Sequence, residues 1–255
     1  MSLPIPYQDP IDQGPLIGVS AAYKNPRTGF LYPVRNKVPV FLPENAVEGP
    51  NARYQKLYDR IAPLYNLGTQ LYAWAKSGAE ASRRKVYLEL LELHEGASLL
   101  EVSVGTGANW SYLNRNLDFY GLDLSAGMLG RCRRHATRLK LRFQLCQGLA
   151  EHLPFPSSAF DCVFHVGGIN FFTDPGAALR EMIRVAKPGT RLVVVDETEE
   201  VAKRNENSPI ARAFFKNRPR PIVAPASLLP SEMREVLVRE IWNHQLYVLT
   251  FRKPA

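Results

Sequence analysis

The chain predicts an α/β fold built on a doubly wound, mainly parallel sheet, and three observations carry this. From Ser98 onward, short apolar runs of strand length alternate with helix-length amphipathic stretches. The run Leu99 to Trp110, LLEVSVGTGANW, breaks at Gly105 and Gly107 and resumes as a helical pattern. Such a turn is how α/β proteins present backbone N–H groups and a helix N-terminus to a nucleotide. Finally, the last two apolar runs are separated only by WNHQ, a link that permits antiparallel pairing alone, so the sheet ends in a hairpin.

Residues 1–50 are rich in proline and glycine. Within them GFLYPVRNKVPVFLPE reads as a β-hairpin: Phe30 to Pro33, a turn near Asn36, then Val38 to Leu42. They are expected to form a small appendage. Residues 51–96 read as helical, first ARYQKLYDRIAPLYN, then ASRRKVYLELLELHEG, where Val86, Leu90 and Leu93 share a face and Gly96 supplies the stop. Residues 97–255 form the expected core. Its strands are Ser98–Val104, Asp118–Asp123, Leu141–Gln147, Phe160–Val166 and Arg191–Asp196. Helices fit near Asn109, over Ala126–Leu139 and over Pro175–Val185, the last stopped by KPG. A polar helix, the proline-marked loop RPRPIVAPASLLP and the strands Val236–Ile241 and Leu246–Phe251 follow.

The 255 residues suffice for one large domain with an appendage. No apolar run approaches a membrane span, and the N-terminus lacks a basic stretch followed by an apolar core, so a cytoplasmic protein is expected. Cys132, Cys146 and Cys162 lie far apart, which supports neither disulfides nor a cysteine metal site. The formal charge of +8 invites a nucleic-acid reading. Its basic pieces, RRK at Arg83, RCRRH at Arg131, KR at Lys203 and KNRPR at Lys216, are read instead as solvated helix faces, with no nucleic-acid partner.

The glycine turn fits a dinucleotide fingerprint poorly. Laid on Ser103, Gly105 and Ala108 it loses two glycines; laid on Gly105, Gly107 and Trp110 it puts tryptophan where close helix packing is needed. Glu101, two residues before the turn, has no role in that fingerprint. As Glu101-Val-Ser-Val-Gly105-Thr106-Gly107, however, the segment resembles the first motif, E-x-G-x-G-x-G, of the class I S-adenosylmethionine-dependent methyltransferases, with Ser103 replacing the first glycine. The resemblance continues through YGLDLSAGML, GLAEHLPFPSSAFDCVF and EMIRVAKPGTRLVVVDE, and covers roughly residues 52–200. LYDRIAPLYN, Leu57 to Asn66, is similar to the D-x-I-A-x-x-Y-D segment of the ubiquinone and menaquinone C-methyltransferases.

The resemblance implies a Rossmann-like, seven-stranded sheet ending in an antiparallel hairpin, S-adenosylmethionine as cofactor, and a lid made by the segment ahead of the core. It implies cofactor contacts from Tyr58, Glu101, Ser103, Gly105, Thr106, Gly107, Asp123, Leu124, Met128, Leu149, Ala150 and His165. Two glycines let the backbone approach the methionine portion, and the carboxylate ending strand two accepts from both ribose hydroxyls. A helix N-cap is the competing role for Asp123, with Ser125 the better candidate, and core packing competes for Met128. Relatives read G-D-A-E-x-L-P-F after strand three, but this chain reads Gly148-Leu149-Ala150-Glu151. Adenine recognition is therefore expected from shape and from the Ala150 N–H. LYPVRNKVPVFLPE is similar to the second half of a small zinc-ribbon-like module, but without cysteines ahead of it, so no metal is expected.

Methyl transfer needs orientation and a dry cavity, and a base only when the acceptor loses a proton. The candidate catalytic residues are Tyr65, His165 and Asp196, with Glu197 beside the last; a structural role competes for His165 and for the lid tyrosines. The expected reaction is methylation of a small, largely apolar molecule, its cavity drawing polar groups from Tyr65, His165 and Asn170. Removing residues 1–70 is expected to leave the core folded. RNA methylation and cofactor binding without catalysis are the alternatives. Against the first, GGIN stands after strand four, where amino-methylating nucleic-acid enzymes carry [NDS]-P-P-[YFW].

Overall fold

The computed structural model describes residues 5–43, 47–60, 77–208, 212–216, 218 and 220–255. Strands β1 (Ile17–Val19), β2 (Ala22–Lys24), β3 (Leu31–Arg35) and β4 (Val38–Phe41) precede two helices, α1 over residues 49–60 and α2 (Ser77–Leu88). The rest alternates: β5 (Ser98–Val102), β6 (Asp118–Asp123), α3 (Ala126–Arg138), β7 (Arg142–Gly148), β8 (Cys162–Val166), α4 (Pro175–Val185) and β9 (Arg191–Glu197). Short helices α5 (Glu199–Glu206) and α6 (Arg212–Phe215) lead to β10 (Arg234–Ile241) and β11 (Leu246–Arg252).

One sheet runs β1-β2-β3-β4-β7-β6-β5-β8-β9-β11-β10. It has eleven strands where seven are expected, because the N-terminal residues supply a four-strand meander rather than a single hairpin. The meander is also not separate. Val40 and Phe41 of β4 pair in parallel with Gln147 and Gly148 of β7, covering the carboxyl end of that edge. From β4 to β9 the central pairings are parallel, and β11 pairs antiparallel with both β9 and β10.

The expected helix near Asn109 is only a 3₁₀ turn over Ala108–Tyr112. Little more than ten residues separate the glycine turn from β6, too few for a full crossover helix of a dozen residues or more. The α3 and α4 starts follow their side chains. Ser125 Oγ accepts from Met128 N (3.1 Å) and Asp174 Oδ1 from Ala177 N (2.9 Å), so Ser125, not Asp123, caps α3.

The sheet separates two buried clusters. Leu99, Phe119, Trp110, Cys132 and Val193 pack on one face. On the other, Leu100, Tyr120, Phe155 and Phe160 share one cluster with Tyr7, Tyr32, Phe41 and Tyr54 from the N-terminal segments. Ahead of β3 a polar knot ties the loops together. Asn25 Nδ2 donates to Asp9 Oδ2 (2.7 Å) and Asp12 Oδ2 (2.8 Å), and Asp9 Oδ1 accepts from the Tyr32 hydroxyl (3.0 Å). No group of three or more metal-ligating side chains occurs among the described residues, and no helix among them is long and apolar enough to cross a membrane.

Candidate active site

The strand order reverses between β5 and β8, whose chains leave for opposite sides of the sheet, and ligands of open α/β sheets bind at such a point, outside the carboxyl ends of the strands. A cavity of about 520 Å³ lies there, within the range of small-ligand sites. Its wall brings together Tyr58, Glu101, Ser103, Gly105, Thr106, Asp123, Leu124, Met128 and Asp196. These residues singled out from the sequence thus share one surface, although they come from α1, α3, three strands and the turns that follow those strands.

The glycine turn is held by the next strand. Asp123 Oδ2 accepts from Gly105 N (2.8 Å) and Oδ1 from Ser125 N (2.8 Å). Burial pushes the Asp123 carboxyl up to about 6, against the pull of those N–H groups. Gly105 has φ +55° and no atom within 4 Å of where a Cβ would sit, so its face is open to a ligand. Gly107 is off the cavity wall. A Cβ there would lie 2.7 Å from Cys132 Sγ, so its glycine serves the approach of the turn to α3.

Ser103 stands in the left-handed region at φ 59°, where a β-carbon costs roughly 1–2 kcal/mol. The serine that replaces the motif glycine is therefore strained. Ser103→Gly is expected to raise the melting temperature, by a gain of at most about 1 kcal/mol once the added freedom of the unfolded chain is subtracted. Thermal unfolding checks it, and a lower melting temperature contradicts it.

Glu101 is 1% exposed. Its Oε1 accepts from Asn109 Nδ2 (2.5 Å), while Oε2 is buried with no hydrogen bond. Burial pushes this carboxyl up to about 8. Asn109 Oδ1 accepts from Arg84 Nη1 (2.5 Å) and from the Tyr87 hydroxyl (2.9 Å), so Arg84 and Glu101 are joined through one amide. The sequence reading treated the RRK piece as solvated; its Arg84 instead lines the cavity. Neither Arg84 nor Asn109 stood out in the sequence, because the helix that brings the arginine in lies outside the glycine motif.

Besides Gly107, the expected residues His165, Leu149, Ala150, Asn170 and Tyr65 are not on the described wall. His165 is 0% exposed, its Nδ1 2.9 Å from the Val102 carbonyl and its ring edge-to-face with Phe172. Burial lowers its pKa, so it sits as a neutral ring within the sheet, out of reach of a substrate proton. Leu149 and Ala150 are buried just past Gly148, where β4 pairs alongside β7 and encloses the chain. Tyr65 lies outside the described residues, as does the rest of 61–76 in the expected lid. Asp196 is on the wall and bonded through both oxygens. Its Oδ1 accepts from Gly168 N and Glu197 N (2.9 Å each), and Oδ2 from Asn170 Nδ2 (3.2 Å).

Helix α1 closes the cavity from above the loop after β6. Asp59 Oδ1 accepts from Ser125 Oγ (2.5 Å) and Gly127 N (3.1 Å), and Gln55 Nε2 donates to the Leu124 carbonyl (3.2 Å). Tyr54 stacks on Phe171 with centroids 4.6 Å apart. With Phe172 and Phe215 these rings make an apolar half on one face of the sheet, while Glu101 lies over the other.

Residues 100–194 match the protein family described as a methyltransferase domain. In that segment this chain is similar to a methyltransferase domain. It is 34% identical over 152 residues to a demethylmenaquinone methyltransferase of Lactiplantibacillus plantarum, a match covering 57% of this chain and 62% of that one. The chain spans less than two thirds of the length of the curated relatives it matches first. Among solved structures it resembles the cyclase SpnF, with a TM-score of 0.64 at 19% identity over 81% of this chain and 97% of that one. It also resembles a Haemonchus contortus phosphoethanolamine N-methyltransferase 2 in complex with S-adenosyl-L-methionine, with a TM-score of 0.62 at 15% identity over 85% and 62% of the two chains. At these identities the chain shares a fold with both, and a cyclase among them means the fold alone does not name the reaction.

Proposed function

We propose that the chain transfers the methyl group of S-adenosylmethionine to a small, largely apolar acceptor. The observation that carries this reading is one cavity with two unlike halves. The polar half suits the cofactor: Glu101 offers a buried, unbonded oxygen to an ammonium, and Gly105 leaves room at the turn. Asp123, each of whose oxygens already takes one N–H, retains lone pairs for two ribose hydroxyls. The aromatic half, Tyr54, Tyr58, Phe171, Phe172 and Phe215, suits an apolar acceptor. The named methyltransferase relatives support the same reading.

When bound, S-adenosylmethionine supplies a methyl group on a positively charged sulfur. The residues of this chain hold the two reactants in line and keep water out. Asp123 and Glu101 fix the two ends of the cofactor, while Tyr54 and Phe171 hold the acceptor against it. Calorimetry with S-adenosylhomocysteine, followed by label transfer from methyl-labelled cofactor to reduced demethylmenaquinone and simpler naphthols, tests the reading. Binding without any transfer favours a non-catalytic role, and transfer to RNA that falls steeply with salt favours nucleic acid.

Glu101 makes the binding step pH-dependent. Its carboxyl is protonated below about 8 in the free protein, and an ammonium beside it favours the ionised form. Binding at pH 7 is therefore expected to release protons, seen as heats that vary with the ionisation enthalpy of the buffer. Glu101→Gln abolishes the release and weakens binding by about tenfold or more, the worth of a hydrogen bond to a charge.

A further inference from the structure

Four carboxylates face the cavity, and three are employed. Asp123 holds the glycine turn and the start of the α3 loop, Glu101 is bonded to Asn109, and Asp196 holds Gly168, Asn170 and the backbone of its neighbour. The fourth, Glu197, ends β9 on the cavity wall. Among the described residues its side chain has no hydrogen-bond or ion-pair partner. Glu101 is level with Val193, so Glu197 stands two strands across from Glu101 and four residues further toward the carboxyl end of β9, roughly 16 Å away at the backbone. That offset puts it on the cavity wall beyond the cofactor half, next to its strand partner Leu246.

We propose that Glu197 is the general base of the transfer, accepting the proton that the acceptor loses. The inference rests on the methyltransferase reading above. The other groups facing this space are poorly suited: Asp196 is bonded through both oxygens, and burial raises the Tyr54 phenol, so it stays protonated. Tyr247, bonded to Asn170 on the strand beside β9, is likewise raised by burial. Glu101 and Arg84 reach the same face of the sheet from β5 and α2, and both are bonded to Asn109. Burial and the adjacent Asp196 push the Glu197 carboxyl up to about 8, which makes its ionised form a stronger base than an ordinary carboxylate. In the step, Glu197 takes the proton of an acceptor O–H. The electron pair left on oxygen, or on a conjugated carbon, forms the new bond to the methyl carbon. The methyl–sulfur pair departs to sulfur as a neutral thioether, and Glu197 returns its proton to water.

The test uses the full chain loaded with S-adenosylhomocysteine, with 2-naphthol and naphthalene as paired probes. Wild type is expected to bind 2-naphthol at least about tenfold more tightly, with affinity rising as pH rises through about 8. Glu197→Leu is expected to bind S-adenosylhomocysteine and naphthalene as before and to lose both the preference and its pH dependence. In turnover, Glu197→Gln is expected to lower kcat on 2-naphthol by about a hundredfold with little change in KM, and to recover on 2-naphthalenethiol, which ionises without a base. No preference in wild type, a preference that survives Glu197→Leu, or an equal kcat loss on both acceptors overturns the assignment while methyl transfer stands. Failure of wild type to bind S-adenosylhomocysteine overturns both.

Discussion

Asp123→Ala is expected to weaken S-adenosylhomocysteine binding by at least tenfold, and by more than any other single change on the cofactor half. The carboxylate has two tasks. It is placed to accept from both ribose hydroxyls, bonds worth about 1.5–3 kcal/mol each when the acceptor is charged. It also fastens the glycine turn to the loop after β6 through Gly105 N and Ser125 N, so its loss frees both walls of the subsite. Asp123→Asn keeps one acceptor oxygen and should lose less. The wild type carries its own control. The carboxyl sits at about 6, so affinity should fall as pH drops through that value, where the carboxylate takes up a proton and one oxygen becomes a donor. Calorimetry on the folded variants decides it, and wild-type affinity in Asp123→Ala removes the cofactor from this site.

Deletion of residues 1–43 is expected to abolish cooperative folding, contrary to the independent core that the sequence suggests. Tyr7, Tyr32 and Phe41 are 8%, 2% and 1% exposed and lie in one cluster with Tyr120, Phe155 and Phe160. Tyr7 and Phe155 have ring centroids 5.6 Å apart. Each such aromatic buries roughly 150–250 Å², worth about 4–6 kcal/mol at ~25 cal/mol per Å² as an upper figure. Three of them approach the whole net stability of a domain, about 5–15 kcal/mol. The deletion also bares Gln147 and Gly148 at the carboxyl end of β7. The expected product is insoluble, or soluble with strong dye binding and no sharp thermal transition. A truncated chain that melts cooperatively and binds S-adenosylhomocysteine would show the meander to be dispensable.

Where a pattern is local, the residues alone carried it. The boundaries of β6 and α4 follow from the period of their apolar residues, and both ends of each agree with the expected spans. Gly105, Asp123 and Met128 stood out through the resemblance of short consecutive motifs, and all three lie on the cavity wall. Pairing and burial across long stretches of chain were not. Nothing in VPVF says that it lies beside Gln147, more than a hundred residues on, since a hydrogen-bonding edge looks the same from either side. Arg84 read as a surface charge because periodicity gives a face of α2 but not what that face meets. Asp196 and Glu197 are adjacent acids at one strand end, chemically alike in the sequence, and only the packing separates them: Gly168, Asn170 and the Glu197 N–H consume Asp196, while the Glu197 carboxylate is left to the cavity. Chemistry of residue types is written locally, whereas which of two like groups remains unbonded depends on where distant backbone donors come to rest.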